Sequence, residues 1–320
     1  MWRLAAALMA IAVSSPCPAE QRPEWAFFVP TAPPAAKSAA SESAASGAPA
    51  LDVLNPPDWY PAEHPVMPAV VAHGSPPKDA SAAPILPCAL CHLPNGFGHV
   101  ESASLAGLPA DYIIRQFAEF RSGERRITVG DARAQQLLSV LKSSYSDAQV
   151  RAAALYFSAL TPRAWIRVRE ANRVPVSVVD PDTLMRTALA GASTEPLGNR
   201  IVELPESESG LRKRDAHSGF IAYVPKGSLA KGKALVTKAG DWGVACAACH
   251  GKTLNGLRTV PPLAGRPPTY LVRQLWNYQS GERSGSMAAP MRAIAARLRV
   301  DEMSAMAAYL ASLPPKPMSP

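Results

Sequence analysis

Trp242-Gly-Val-Ala-Cys246-Ala-Ala-Cys249-His250-Gly251 decides the fold, and a near copy, Cys88-Ala-Leu-Cys91-His92, lies 158 residues earlier. In C-x-x-C-H, two thiols three residues apart project from one face of a helical turn. Both can then bond the vinyl groups of one porphyrin, and the adjacent histidine turns its imidazole toward the iron as proximal ligand. This spacing is the attachment signal of c-type haem. Two copies predict two covalently bound haem c groups, one on Cys88 and Cys91, the other on Cys246 and Cys249, with His92 and His250 on the irons.

The duplication extends beyond the motif. At the same offset of 158, Leu105-Ala-Gly-Leu-Pro-Ala-Asp-Tyr-Ile-Ile-Arg-Gln116 matches Leu263-Ala-Gly-Arg-Pro-Pro-Thr-Tyr-Leu-Val-Arg-Gln274, and the match continues through Ser-Gly-Glu-Arg125 and Ser-Gly-Glu-Arg283; 11 of 21 positions are identical. Tyr156 and Leu160 then align with Tyr309 and Leu313 at an offset of 153, so the intervening loop is five residues shorter in the second copy. Each copy reads as motif, glycine-rich loop, helix, variable loop and closing helix. The first helices are expected over 109–121 and 267–279, each opening with proline, whose missing N–H costs nothing there. The closing helix of the second copy is expected over 300–313, with Met303, Met306, Ala307 and Leu310 at core spacing, and Gly227–Lys238 fits a helix leading into the motif.

This gives two helical domains, 51–165 and 227–316. Between them 166–226 has no counterpart and reads as an irregular connector with strand-like fragments at 174–179, 200–204 and 219–224. The run Glu203–Glu208 and His217 read as solvated loop residues, and Arg125 and Arg283 as propionate partners or a solvated face. Residues 1–19 have the pattern of a secretory signal: Arg3, the apolar run Leu4–Val13, then Ser14-Ser-Pro-Cys-Pro-Ala19. Residues 20–50, after Trp25, Phe27 and Phe28, run into alanine, serine and proline and read as a flexible tail.

With 1–19 removed, 32 basic residues face 25 acidic ones, a net +7. That is a mild bias toward acidic partners and marks no nucleic-acid site. One of the five cysteines lies in the signal and the two motifs use the other four, which leaves none for a disulfide framework. A zinc site is disfavoured because the two pairs stand far apart and each ends in histidine; a thioredoxin-like dithiol lacks its βαβ frame. No later stretch is long and apolar enough for a transmembrane segment.

These motifs, together with Pro262-Leu-Ala-Gly265, Tyr270-Leu-Val-Arg-Gln-Leu275 and Met291-Arg-Ala-Ile-Ala-Ala-Arg-Leu298, make the chain similar to class I cytochromes c, in particular the tandem dihaem cytochromes of the c4 and c553 type. The resemblance covers about 230–315 well and about 65–160 with one departure. It implies an all-α architecture of two small domains, each iron held between histidine and methionine. The second loop offers Met287 and Met291, and the resemblance implies Met291, seven residues before Leu298. In the first copy Leu138 stands at that place, and no methionine, histidine or cysteine lies between Val100 and Asp180. The sixth position there is open, or filled by Lys142, Met67, His73, His64 or His99. The resemblance implies a periplasmic relay of single electrons between redox proteins, such as a dehydrogenase or quinol-oxidising complex and an oxidase or another cytochrome. A second reading is a dihaem redox enzyme, thiosulfate dehydrogenase-like or peroxidase-like, with haem 1 as an open catalytic site. A third is a haem-based sensor, or a subunit held by a dehydrogenase.

Overall fold

The computed structural model describes residues 21–29, 55–75, 85–128, 130, 145–179, 184–191 and 193–318. The expected signal segment, the tail beyond residue 29, Leu138 and Lys142 lie outside them.

The first haem unit contains α1 (Ala69–Ala72), α2 (Cys88–His92), α3 (Ala110–Ser122) and α4 (Asp147–Ala159). The middle of the chain forms β1 (Ile166–Ala171), β2 (Arg173–Pro175), β3 (Ser177–Val179), β4 (Arg186–Ala188), β5 (Thr194–Pro196), β6 (Val202–Pro205), α5 (Glu208–Arg212) and β7 (Phe220–Pro225). The second unit contains α6 (Ser228–Thr237), α7 (Ala247–His250), α8 (Pro268–Gln279), α9 (Ala289–Ala295) and α10 (Val300–Ser312).

Local chemistry sets the helix ends. A capping box between Ser146 and Gln149 starts α4. Gly123, at φ +81°, ends α3 in the left-handed conformation that glycine adopts without a Cβ penalty. Met303, Met306, Ala307 and Leu310 are buried as their spacing requires, in a core shared with Trp242, Leu271, Val272 and Leu298. α6 crosses α10 at Gly232, where an added Cβ would lie 1.9 Å from the Ala305 carbonyl oxygen. The helices therefore meet backbone to backbone.

The all-α expectation holds for the haem units and fails between them. β7 runs parallel to β1 on one side and antiparallel to β6 on the other, while β2–β5 and β3–β4 form two-stranded ribbons. Phe220, Ala222 and Val224 alternate into the interior along β7, so the middle segment has a sheet with its own apolar face. The tail reading also needs correction for residues 21–29. Ala26, Phe27 and Phe28 are buried, with Phe27 in the core of the second unit and Phe28 in that of the sheet. Aromatic side chains bury too much apolar surface to stay in a tether.

Gly232→Ala should destabilise the protein by about 1–3 kcal/mol, the usual cost of overpacking a filled contact, read as a lower midpoint of thermal unfolding.

Candidate haem sites and the seam between them

Both C-x-x-C-H motifs form short helices with the same histidine geometry. His92 Nδ1 lies 2.8 Å from the Ala103 carbonyl oxygen, and His250 Nδ1 lies 2.8 Å from that of Pro261. Each ring donates its Nδ1–H to that carbonyl, which fixes the tautomer and leaves the Nε2 lone pair free for a metal. Burial holds both imidazoles below their usual pKa, so they are neutral, the form that ligates iron. Burial also pushes the Cys88 thiol up to about 12 and that of Cys246 up to about 11. Uncharged sulfur suits thioether formation in an apolar bed, and the four cysteines are free. These residues fit a covalently held haem at each motif, where the iron would supply one-electron redox chemistry.

Met291 is half-buried on α9, whereas Met287 is 59% exposed. Among the described candidates for the first iron, three histidines have other neighbours. His64 Nε2 lies 3.2 Å from Asp58 Oδ1, and His73 Nδ1 lies 3.2 Å from Asn55 Oδ1. His99 is buried beside Glu101 and the ring of Phe220. Met67 packs against the first core with Val70 and Phe157.

The two units meet through their duplicated residues. Arg125 and Arg283 form an antiparallel bridge, flanked by Arg126 N–H to the Glu282 carbonyl at 2.9 Å and Ser284 N–H to that of Glu124 at 2.7 Å. Arg125 donates to Gln116 Oε1 at 2.7 Å, Gln274 Oε1 at 3.1 Å and the Tyr270 hydroxyl at 3.3 Å. Arg283 donates to Gln274 Oε1 at 3.0 Å, Gln116 Oε1 at 2.5 Å and the Tyr112 hydroxyl at 3.4 Å. Each of these contacts has a partner shifted by the repeat, the pattern of an isologous interface. Arg125 stacks on Phe120 at 4.5 Å and Arg283 on Tyr278 at 4.3 Å, again 158 residues apart in sequence. Both arginines are buried, which removes the expectation that they form a solvated face.

Arg266 crosses the seam as well, donating to the Ser104 carbonyl at 2.5 Å and to that of Ala106 at 3.3 Å. Its guanidinium acquires only dipoles as partners, and burial lowers its pKa to about 10. Arg283 Nε and Arg115 Nε are buried without a partner. Such an excess of guanidinium N–H groups suits the propionate carboxylates of haem. The seam was overlooked in the sequence although Tyr112/Tyr270, Gln116/Gln274 and Arg125/Arg283 stand among the repeat identities. Polar residues kept in both copies were the available signal.

The surroundings of the motifs differ. Over α2, Arg214 donates to the Leu90 carbonyl, Asn95 Nδ2 donates to that of Ala216 at 2.7 Å, and Phe97 stacks on Trp165 with centroids 6.1 Å apart. In the second unit Ala248 and Cys249, the counterparts of Leu90 and Cys91, are exposed, as is Leu257, the counterpart of the buried His99. The connector covers one attachment motif and leaves the other open.

Residues 229–314 match the family model described as cytochrome c. A protein named thiosulfate dehydrogenase electron acceptor, from Thiomonas intermedia, is 26% identical over 76% of this chain and 83% of its own length. Cytochrome c-554(548) of Halomonas halodenitrificans is 38% identical over 21% of this chain and 82% of its own. Among solved structures, a thiosulfate dehydrogenase of Marichromatium purpuratum aligns over 72% of this chain, at 27% identity and a TM-score of 0.47, and the chain spans 37% of that protein.

Gln116→Leu removes an acceptor shared by both buried arginines. Leaving buried charged donors unsatisfied costs about 1–3 kcal/mol each, so a fall of at least that size in unfolding free energy is expected by chemical denaturation.

Proposed function

The chain belongs to the cytochrome c family, and from that premise we propose that it is an exported dihaem relay that exchanges single electrons with acidic redox proteins at the open edge of its second haem unit. The observation that carries this reading is the unequal cover of the two motifs. Electron exchange between proteins needs a close approach to the haem edge, and the exposed Ala248, Cys249 and Leu257 permit one. At the first motif Arg214, Asn95 and Trp165 stand in the way.

Charge supports the same face. Residues 227–316 hold twelve of the 33 lysines and arginines and four of the 25 acidic residues; Arg266, Arg273 and Arg283 are buried at the junction of the units, and the nine exposed cations still outnumber the four acids on the second unit. Lys252 and Arg258 are exposed close to the open motif. A field of this kind steers an acidic partner and speeds encounter more than it tightens binding. The Thiomonas relative's name supports a thiosulfate-oxidising dehydrogenase as the electron donor. Among the described residues no helix is long and apolar enough to cross a membrane, which is compatible with a periplasmic location.

Within the second unit the reading assigns His250 and Met291 to the iron. Methionine ligation raises the potential, which suits a terminal relay site. The second reading, a redox enzyme with an open first iron, draws on the absence of methionine, histidine and cysteine between Val100 and Asp180.

Met291→Ala should abolish the thioether-to-iron absorption band of haem 2 and lower its potential, while Met287→Ala keeps both; survival of the band in Met291→Ala would remove Met291 from the site. Reduction by a thiosulfate dehydrogenase with thiosulfate should slow steeply as salt screens the basic face. A salt-independent rate would contradict that docking mode. Carbon monoxide should not bind quickly to the reduced protein; rapid binding of one molecule per chain would favour the enzyme reading.

A further inference from the structure

Glu203 reads in sequence as part of a solvated acidic run, yet it is 1% exposed. It lies on β6 where the sheet meets the first turn of α8. Its Oε2 accepts from the Thr269 hydroxyl, while its Oε1 is buried without a partner. Arg273, also buried, faces this carboxyl but directs its N–H groups elsewhere: to the carbonyls of Ala26 at 2.8 Å, Val100 at 2.9 Å and Glu101 at 3.3 Å. From the first unit, Glu101 is within electrostatic reach of Glu203 and also of Cys91 and His92. Its Oε2 is likewise buried and unpartnered. His99 Nδ1 lies 3.3 Å from Glu101 Oε1, within ion-pair range but not aligned for a hydrogen bond. From the sheet side, Arg186 on β4 is within electrostatic reach of Glu203.

Two carboxyls, a histidine and two arginines thus meet at the junction of both haem units and the connector, with three polar atoms unsatisfied. A carboxylate in such a place is held by Thr269, through its hydroxyl and backbone N–H, and by arginines whose N–H groups point to other acceptors. Desolvation favours its neutral form.

We propose that Glu203 is a redox-linked proton site, which takes a proton from solvent when a neighbouring haem gains an electron and returns it on oxidation. The step balances: ferric iron, one electron from the donor protein, one proton from water and the Glu203 carboxylate give ferrous iron and the Glu203 carboxylic acid. Added negative charge at the iron raises the proton affinity of a carboxyl in a low-dielectric seam, because the interaction is weakly screened there. Burial, offset in part by Thr269 and Arg273, pushes the Glu203 pKa up to about 8, which puts the exchange within a working pH range. The inference rests on the chain holding haem, and goes beyond the relay reading by coupling electrons to protons.

Spectroelectrochemical titration of each haem between about pH 6 and 10 tests it, on intact haem-loaded protein. In the native protein the potential of at least one haem should fall with rising pH around pH 8, up to the limit of about 59 mV per unit for a tenfold change in a one-electron equilibrium. Glu203→Gln, which keeps shape and an acceptor for Thr269, should flatten this slope. Thr269→Val removes a donor to the carboxylate and should shift the window to higher pH. A flat native profile, an undiminished slope in Glu203→Gln, or an unmoved window in Thr269→Val overturns the proposal; each leaves the relay reading intact, which fails instead if no reversible haem couple is seen.

A second readout needs no electron transfer. Between its ordinary pKa of 4.5 and about 8 the folded carboxyl binds a proton that the unfolded one has released. Stability contributed by the neutral form is therefore full below 4.5 and lost as pH rises toward 8. The unfolding midpoint of the native protein relative to Glu203→Gln should fall across that interval, and a constant difference overturns the proposal.

Discussion

Two buried guanidiniums that share two amide oxygens set the relation between the halves of this molecule. Arg125 and Arg283 each donate to both Gln116 and Gln274, so neither arginine can be satisfied unless both units are in place. Hydrogen bonds to charged groups contribute about 1.5–3 kcal/mol each, but the asymmetry matters more: losing an acceptor while the seam stays closed would leave buried guanidinium donors unsatisfied. Glutamine is a telling choice of acceptor. A carboxylate at 116 or 274 would neutralise the arginines internally, whereas an amide leaves their charge available to a propionate.

Around that symmetric seam the molecule is asymmetric. The Leu-Ala-Gly turn shows how closely the copies agree: Cβ atoms added at Gly107 and Gly265 would lie 3.0 Å from Pro162 and 2.7 Å from Pro315, each the proline after its closing helix. Yet the connector, through Arg214 and the Ala216 carbonyl, lies over one motif, and the other faces outward with Lys252 and Arg258 exposed near it. A duplicated unit whose two copies are identically exposed would offer partners two entry points. In the proposed relay, covering one would direct exchange to the other. The same cover builds the junction in which Glu203 is buried, so insulation of the first unit and burial of that carboxyl share one structural cause.

The parts legible in the sequence were those with local signals. Periodicity and proline place α3, α8 and α10 within a residue or two, and spacing alone proposes Cys88, Cys91, His92 and their counterparts as the attachment and ligand residues. The connector was not legible because its order is non-local: Ile166–Ala171 finds its partner at Phe220–Pro225, and short strands carry no signature of such a pairing. Glu203 was misread for a related reason. It stands between Val202 and Leu204, just ahead of the acidic Glu206–Glu208, and the packing of α8 against β6, through Thr269, takes it out of water. Phe27 and Phe28 are the opposite case, a clear apolar signal masked by the low-complexity stretch that follows them.

In the proposed relay, electrons enter and leave at the second motif and not the first. Stopped-flow reduction by a small acidic electron-transfer protein at low salt tests it directly, comparing charge reversal at Lys252 and Arg258, beside the open motif, with the same two-charge reversal at Arg169 and Lys213 on the exposed connector face. The account predicts that Lys252→Glu with Arg258→Glu slows reduction by at least tenfold, while Arg169→Glu with Lys213→Glu leaves it within about twofold. Equal slowing by both pairs, or a larger effect from the connector pair, would contradict it.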